Sequence, residues 1–284
     1  MGKNLLVLSV WVSVLMLTSC VGSKKETVTY TPEEIANAGQ VMKYYDASLA
    51  LLKNVVKERD VNAVLGYMEQ KTEVPMFSYI MSPVISKKDS AEVMLPGECF
   101  GADVRQNLIQ NYAELFQSRN QFYANFNKYL SLLKEKKTEG MADLLNDNYE
   151  LSVVMSECKQ NIFDILSPIA SNAQRVLLAE NPVKEQIIAM KSMSTTMQSI
   201  INLYARKHVE DKSRLDLKIV ELRLQLDAAE KLPVVKGHEE ESEKFKDFLS
   251  KTEGFLKIVQ DARQKNSYAD EDFEEISSYG LGII

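Results

Sequence analysis

The chain of 284 residues is poor in the two residue types that interrupt regular structure, with 11 glycines and seven prolines. All-β proteins need frequent turns, and glycine and proline are the residues that most often form them. Hydrophobic residues make up 45% and charged residues 26% of the chain, as in folded globular proteins. The scarcity of turn formers therefore predicts an all-α fold with long helices.

Histidine is equally scarce, since the chain contains only His208 and His238. Zinc proteases, nucleotide-binding loops and nucleophile elbows each require a compact motif, and the sequence has none of these. A hydrolytic carboxylate pair needs only two of the 40 acidic residues, so composition neither excludes nor locates one. We expect no metal and no cofactor, and we assign no catalytic residue.

The chain has fewer basic than acidic residues, with 34 lysines and arginines against 40 aspartates and glutamates, and its formal net charge is −6. Nucleic acid and anionic lipid surfaces attract proteins of the opposite sign. The balance therefore argues against a nucleic acid partner and against broad adhesion to anionic lipid.

The N-terminus has the three parts of a secretory signal. Lys3 gives a positive start, an apolar core extends from Leu5 to Leu17, and the small residues Thr18 and Ser19 follow. The core is too short to span a bilayer comfortably as a permanent anchor. These features predict a signal peptide over residues 1–19.

The end of this signal, Leu17-Thr18-Ser19-Cys20, resembles the lipobox of bacterial lipoproteins. The resemblance implies that Cys20 becomes the first mature residue and carries a diacylglyceryl thioether and an amide-linked acyl chain such as palmitate. Two or three chains anchor a protein stably where one does not. Residues 20–30 then form a lipidated tether. The alternative is a plain signal peptide with a chance cysteine.

The residue after Cys20 is Val21 rather than aspartate. By analogy with enteric lipoproteins, this favours the outer membrane over the inner membrane of the cell envelope. Whether the protein faces the periplasm or the cell surface stays open.

Two cysteines remain beyond the lipid attachment site, Cys99 and Cys158. The compartment beyond the inner membrane is oxidising, so the two thiols can pair there. Cys158 also lies on an apolar helical stripe, which favours two buried free thiols by a small margin. A disulfide and two free thiols are both left open.

Apolar residues at alternating spacings of three and four recur along the mature chain. The first stripe follows Thr31-Pro32-Glu33-Glu34, a capping box with proline at the first helical position. Further stripes predict a bundle of about five or six long helices in one helical-bundle domain over residues 31–284. The stripe Leu215, Ile219, Leu222, Leu226 and Ala229 is typical of a coiled coil, and residues 182–231 form one very long helix or two joined near His208.

One long connection, residues 73–101, breaks the helical pattern. It is apolar and holds three prolines, Pro75, Pro83 and Pro96. Long loops inside a compact domain are uncommon and often functional. We favour a strap packed across the bundle, and the alternative is a lid over a ligand site.

Several polar or unusual side chains fall on the helical stripes. Arg119 is either a ligand-binding cation or, as we favour, a side chain that extends towards solvent or pairs with a carboxylate. Asn148 is a candidate for setting register between helices, and Pro168 kinks or stops its helix. Met190, Met193 and Met197 could bind a soft metal, but we favour packing in the core for them. The acidic run from Asp270 to Glu275 could bind calcium, but we favour a solvated helix start.

The body of the chain also resembles a group of bacterial lipoproteins with long-helix bundles that includes the YiiG-like domain of unknown function. The resemblance depends on the lipobox, the length and helical tyrosines such as Tyr44, Tyr45, Tyr112 and Tyr129. It implies no particular activity or site residues.

We therefore favour a non-catalytic lipoprotein of the cell envelope that binds a protein or glycan partner. One alternative is an envelope enzyme with carboxylates in a cleft between helices. The other is a carrier or chaperone for an apolar ligand, which requires a large cavity.

Overall fold

The first helix begins where the capping box predicts. The hydroxyl of Thr31 accepts a hydrogen bond from the backbone N–H of Glu34, and the Glu34 carboxylate accepts one from the backbone N–H of Thr31 at 2.7 Å. These reciprocal bonds satisfy donors that a helix start otherwise leaves unpaired. The local sequence is therefore sufficient to predict where the first helix begins.

The computed structural model describes residues 29–69, 85–205 and 212–265, together with 275, 276 and 278. Within these residues the fold is all-α and contains no strand, which confirms the predicted fold class. Six of the eight helices have 17 residues or more, in agreement with the predicted five or six long ones. The helices are α1 (Pro32–Val55), α2 (Glu58–Met68), α3 (Lys87–Val93), α4 (Ala102–Lys134), α5 (Met141–Leu177), α6 (Lys184–Tyr204), α7 (Ser213–Ala229) and α8 (Glu239–Lys265).

The helices bury two separate hydrophobic cores. The N-terminal core is formed by α1 to α5 and extends from Ala38 to Ala173. The C-terminal core is formed by α6 to α8 with Ile276 and begins at Met193. The single domain over residues 31–284 stays a prediction, and the sequence pattern gave no sign that its interior is divided.

Helix α5 is the longest element and does not end at Pro168. It begins after Gly140, whose φ of +79° suits glycine, and it continues to Leu177. A proline inside a helix removes one backbone hydrogen bond, and packing on both sides compensates, because Leu166 and Ala170 lie in the N-terminal core. The prediction was that Pro168 kinks or stops this helix, and the stop is wrong, whereas the kink stays a prediction.

The structure describes the second part of the long connection. Residues 70–84 lie outside the described residues, and the remainder contains α3. The hydroxyl of Tyr44 donates to the backbone carbonyl of Val93 at 2.6 Å, and the Tyr44 ring meets the ring of Phe100 edge-on. This part packs as a strap across α1, which is the interpretation we favoured.

Between α6 and α7, residues 206–211 lie outside the described residues, and His208 is among them. Residues 182–231 thus form two helices rather than one. The stripe on α7 is buried as predicted, inside the C-terminal core between α6 and α8. Its coiled-coil character stays a prediction. None of the described helices is long and apolar enough to cross a membrane.

Candidate functional site

A groove of about 950 Å³ opens where the two cores meet. Helices α1, α5 and α6 form most of its lining, and α7 contributes Lys218 and Glu221. Pockets of this size hold one small-molecule ligand or a short segment of a larger one. Its lining is rich in small hydroxyl side chains: Ser167, Ser171, Ser192, Ser194, Thr195, Thr196 and Ser199.

Buried rings and small apolar side chains complete the groove. Tyr45 of α1 and Phe163 and Ala170 of α5 are buried at the surface of the N-terminal core. The hydroxyls of Tyr45 and Thr195 lie 3.1 Å apart, and this hydrogen bond connects α1 with α6. Burial raises the pKa of the Tyr45 hydroxyl, so the group stays neutral near pH 7. The groove thus combines aromatic and polar side chains.

Two buried polar side chains in the lining make no hydrogen bond to the part of the chain that the structure describes. Gln174 is 7% exposed and Ser199 is 2% exposed, and each lines the groove from a different wall. Buried polar groups in folded proteins are nearly always hydrogen-bonded. Within the groove lining, these two are therefore the buried polar side chains that a ligand or solvent can pair.

A charge network crosses from α5 to α7 in the lining of the groove. Arg214 donates to Asp164 at 2.6 Å, and Lys218 lies 3.2 Å from Asp164 and 2.8 Å from Glu221. Burial by itself would raise the pKa of Asp164, but the hydrogen bond from Arg214 and the charge of Lys218 hold it below its usual value. Burial would also lower the pKa of Lys218, yet its two carboxylate partners raise it. Both groups stay ionised near neutral pH, and they join the two cores.

Three further charges line the groove from exposed positions. Lys53 and Asp46 lie on α1, and Lys191 lies on α6. None of the three forms an ion pair with a described residue. Together with Asp164, Lys218 and Glu221 they give the lining three charges of each sign, so the groove carries no formal net charge.

Arg119, the cation that the sequence singled out, does not line the groove. Its side chain is buried in the N-terminal core, where Nε donates to the carbonyl of Val55 at 2.9 Å and the guanidinium lies 5.1 Å from the ring centre of Tyr123. Val55 is the last residue of α1, so Arg119 caps that helix. The interpretation as a structural residue stands, but its extension to solvent is wrong because the side chain is buried.

A second buried cation, Lys159, was not predicted from the sequence. Its Nζ donates to the carbonyl of Val56, one residue beyond Arg119's acceptor, at 2.9 Å. Lys159 directly follows Cys158 of the apolar stripe, and a lysine at the border of such a stripe was the one signal present in the sequence. Nothing local identified its partner, which lies more than a hundred residues earlier.

Asn148 and the methionines have structural positions. The Asn148 amide donates to the carbonyl of Phe122 at 3.1 Å, so it connects α5 with α4 as a register-setting residue should. Met193 and Met197 are buried in the C-terminal core and Met190 packs against it, which confirms core packing. Residues 270–274 of the acidic run lie outside the described residues, and so do residues 1–28, which include Cys20.

Cys99 and Cys158 are both free thiols in this structure, the former half-buried and the latter buried. Burial, together with the nearby carboxylate of Glu114, raises the pKa of Cys158 to about 12, and burial also raises that of Cys99. The two thiols are not joined in this structure, and whether they pair in an oxidising compartment stays open.

A family model described as a domain of unknown function, DUF6845, matches residues 32–180, which is more than half of the chain. The chain belongs to the DUF6845 family. A second model, the C-terminal domain of DUF3829-like proteins, matches residues 182–284. The two models meet where the N-terminal core ends and α6 begins. The finer resemblance to the YiiG-like group stays a prediction.

Two solved structures resemble this DUF6845 chain along most of its length. An alpha-helical protein from Bacteroides fragilis is 54% identical, with a TM-score of 0.82 over 89% of this chain and 98% of that one. An uncharacterized DUF3829-like protein from Bacteroides thetaiotaomicron is 48% identical, with a TM-score of 0.77 over 89% of this chain and all of that one. No curated protein matches the sequence. The comparisons thus agree with the helical fold.

Proposed function

We propose that this protein is a lipid-anchored component of the cell envelope, held at the outer membrane through Cys20, and that it binds a protein or glycan partner without catalysis. The groove between α1, α5, α6 and α7 is the observation that carries this proposal. It is large enough for a ligand, and it holds two buried polar side chains, Gln174 and Ser199, without partners among the described residues.

The tether supports a site that works close to a membrane. The first helix begins at Pro32, twelve residues after Cys20. An extended chain spans at most about 3.5 Å per residue, so the start of α1 stays within about 40 Å of the lipid attachment point. A partner in the same membrane or in the adjacent cell wall lies within that reach.

The charges of the groove favour binding over catalysis. A general acid needs a carboxyl group whose pKa is raised towards neutrality. Asp164 has the opposite shift, because Arg214 and Lys218 stabilise its ionised form. A carrier of apolar ligands is also less well supported, since such a ligand would leave the polar edges of Gln174 and Ser199 unpaired.

The groove is tested by a matched pair of substitutions on α1. Ala50 is exposed and lines the groove, whereas Ala36 is exposed on the same helix outside it. Full-length lipidated protein carrying Ala50→Trp should lose its partner in cell crosslinking and affinity purification, and Ala36→Trp should retain it. Equal recovery of the partner by both variants would place the site elsewhere and contradict the proposal.

The anchor is tested separately by the mass of the mature protein and by fractionation. We expect the mass of a protein that begins at Cys20 with acyl chains attached, and we expect Cys20→Ala to leave the membrane fraction. An unmodified Cys20 in the mature protein would refute the lipid anchor and leave the groove experiment unaffected.

A further inference from the structure

We infer that the ligand of the groove is a neutral oligosaccharide, bound through its hydroxyl groups and its apolar ring faces. This inference depends on the proposed function, because it names the ligand class of the same site. It follows from the hydrogen-bonding capacity of the groove wall, from two buried polar groups and from the balance of charge.

The wall offers mainly hydrogen-bond acceptors, because its hydroxyl protons are already used within the helices. Ser194 donates to the carbonyl of Met190 at 2.8 Å, and Thr196 donates to that of Ser192 at 3.2 Å. On the facing helix Ser167 donates to the carbonyl of Phe163 at 2.7 Å. A hydroxyl has one proton and two lone pairs, so each of these oxygens can still accept.

The hydroxyls of Tyr45 and Thr195 also have their protons in use and can still accept hydrogen bonds. Thr195 donates its proton to the carbonyl of Lys191 at 3.0 Å, so Tyr45 is the donor in the hydroxyl pair. The oxygen of Tyr45 therefore also has lone pairs left to accept. A ligand that fits this wall must bring hydrogen-bond donors of its own.

Gln174 and Ser199 add the groups that require such a ligand. Each is more than nine-tenths buried, and neither side chain bonds to any residue in the described ranges. The amide of Gln174 both donates and accepts, and the hydroxyl of Ser199 does the same. Hydroxyl groups of a sugar match this dual capacity, whereas a lipid chain matches none of it.

The charges of the groove favour a neutral ligand. Lys218 and Arg214 neutralise Asp164, and Lys218 also pairs with Glu221. The remaining cations, Lys53 and Lys191, are partly offset by Asp46. An anion would face a wall of acceptor oxygens, and a cation would face two lysines, so a neutral ligand fits best.

The apolar part of the lining suits the other side of a sugar. A small exposed part of each of the rings of Tyr45 and Phe163 lines the groove, and the C–H groups of a pyranose pack on such apolar surface by dispersion. The volume of about 950 Å³ admits a short oligosaccharide rather than a single ring. A peptide supplies only one donor per residue along its backbone and lacks this density of hydroxyl groups.

The test is calorimetric titration of full-length lipidated protein in nanodiscs, which avoids sugar-based detergents. The probes are neutral trisaccharides of glucose, mannose, galactose and N-acetylglucosamine, a trisaccharide of galacturonic acid, and uncharged tetrapeptides. At least one neutral trisaccharide should bind, and it should bind more tightly than the acidic trisaccharide or any peptide.

Two variants and two matched controls connect this binding to the groove. Gln174→Leu should weaken binding by about tenfold or more, and Ser199→Ala by about threefold to tenfold, because each removes one buried hydrogen-bonding group. The controls are Gln110→Leu and Ser131→Ala on the exposed face of α4, which should bind as the unmodified protein does. Thermal unfolding of all four variants shows whether any loss of affinity reflects loss of folding.

The outcomes separate the inference from the proposed function. If none of the neutral trisaccharides binds, or if the acidic trisaccharide or a peptide binds more tightly, the ligand class is wrong. Sensitivity of that tighter ligand to Ala50→Trp would keep the groove as the binding site. Binding of a trisaccharide that is unchanged in Gln174→Leu, Ser199→Ala and Ala50→Trp would overturn both.

Discussion

Lys159 on α5 donates a hydrogen bond to the backbone carbonyl of Val56, which lies at the C-terminal end of α1, across 2.9 Å. Arg119 on α4 donates to the adjacent carbonyl of Val55. The last carbonyls of a helix have no partner within it and carry partial negative charge, so each of these two carbonyls gains a donor from a buried cation. The break between α1 and α2 is therefore held by residues from two other helices.

Replacing Arg119 with alanine should destabilise the fold without touching the groove. The change leaves the Val55 carbonyl without this donor and removes the stacking on Tyr123, and a hydrogen bond from a charged group is worth about 2 kcal/mol. We expect a loss of about 2–4 kcal/mol in urea unfolding at neutral pH. The control is Arg175→Ala, which removes an exposed ion pair with Glu185 and should cost under about 1 kcal/mol. Unchanged stability in Arg119→Ala would contradict its role as a cap.

The two cations should act as one unit. Either Arg119→Ala or Lys159→Ala loosens the same helix end. The second substitution should therefore cost less stability when the first is already present than it costs alone. We expect the loss of stability in the double variant to fall short of the sum of the single losses by at least about 0.5 kcal/mol, because the two side chains bind adjacent carbonyls of one helix end. Urea unfolding of the four proteins in the cycle gives this coupling. Strict additivity would show that the two caps are independent.

The contact between the two cores should weaken in acid. Because the folded protein holds the pKa of Asp164 below the value in the unfolded chain, its ionised form stabilises the fold above about pH 4. That contribution disappears as the pH falls from there through the lowered pKa. The stability advantage of the unmodified protein over Asp164→Asn should be about 1 kcal/mol at pH 7 and should shrink towards pH 3. Asp247→Asn, an exposed change on α8, is the control in the same unfolding series, and an Asp164 advantage that stays constant with pH would refute the assignment.

Both thiols should react more slowly with an alkylating reagent in the folded protein than in a denatured chain, and Cys158 should react most slowly. A thiolate is the reactive form, and burial with the nearby Glu114 raises the pKa of Cys158 to about 12. At pH 8 we expect iodoacetamide to leave Cys158 unmodified in the folded protein and to modify Cys99 more slowly than in urea. Peptide mapping by mass spectrometry reads both positions. A disulfide-linked peptide in the oxidised protein would instead support the pairing left open by the sequence.

Helix α7 offers the same substitution on two opposite faces. Leu222 is fully buried in the C-terminal core, whereas Leu217 is 69% exposed beside Val220 and Leu224, which are 57% and 64% exposed. Leu222→Ala should cost about 3 kcal/mol, since it leaves a cavity, and Leu217→Ala should stay within about 0.5 kcal/mol. Thermal and urea unfolding compare the two. A large loss in Leu217→Ala would mean that this outer face is covered in the folded protein.

Of the candidate site, almost nothing was visible in the sequence. Serines and threonines such as Ser167 and Thr195 carry no periodic signal, and they reach one groove only because α5 and α6 pack against each other across the two cores. Arg119 did stand out on its stripe, but its partner at Val55 is distant in the chain. Sequence patterns record which face a residue occupies, whereas its partner depends on how the helices align.

By itself, the sequence determined the features that depend on neighbours within a few residues. The capping box at Thr31 begins α1, and the three-four spacing of apolar residues decides which face of each helix is buried, because helical periodicity is a local property. Tertiary structure decided the division into two cores, the continuation of α5 through Pro168 and the meeting of Gln174 with Ser199 in one groove. Those features arise from side-chain packing between helices far apart in sequence, and no local pattern encodes their relative alignment.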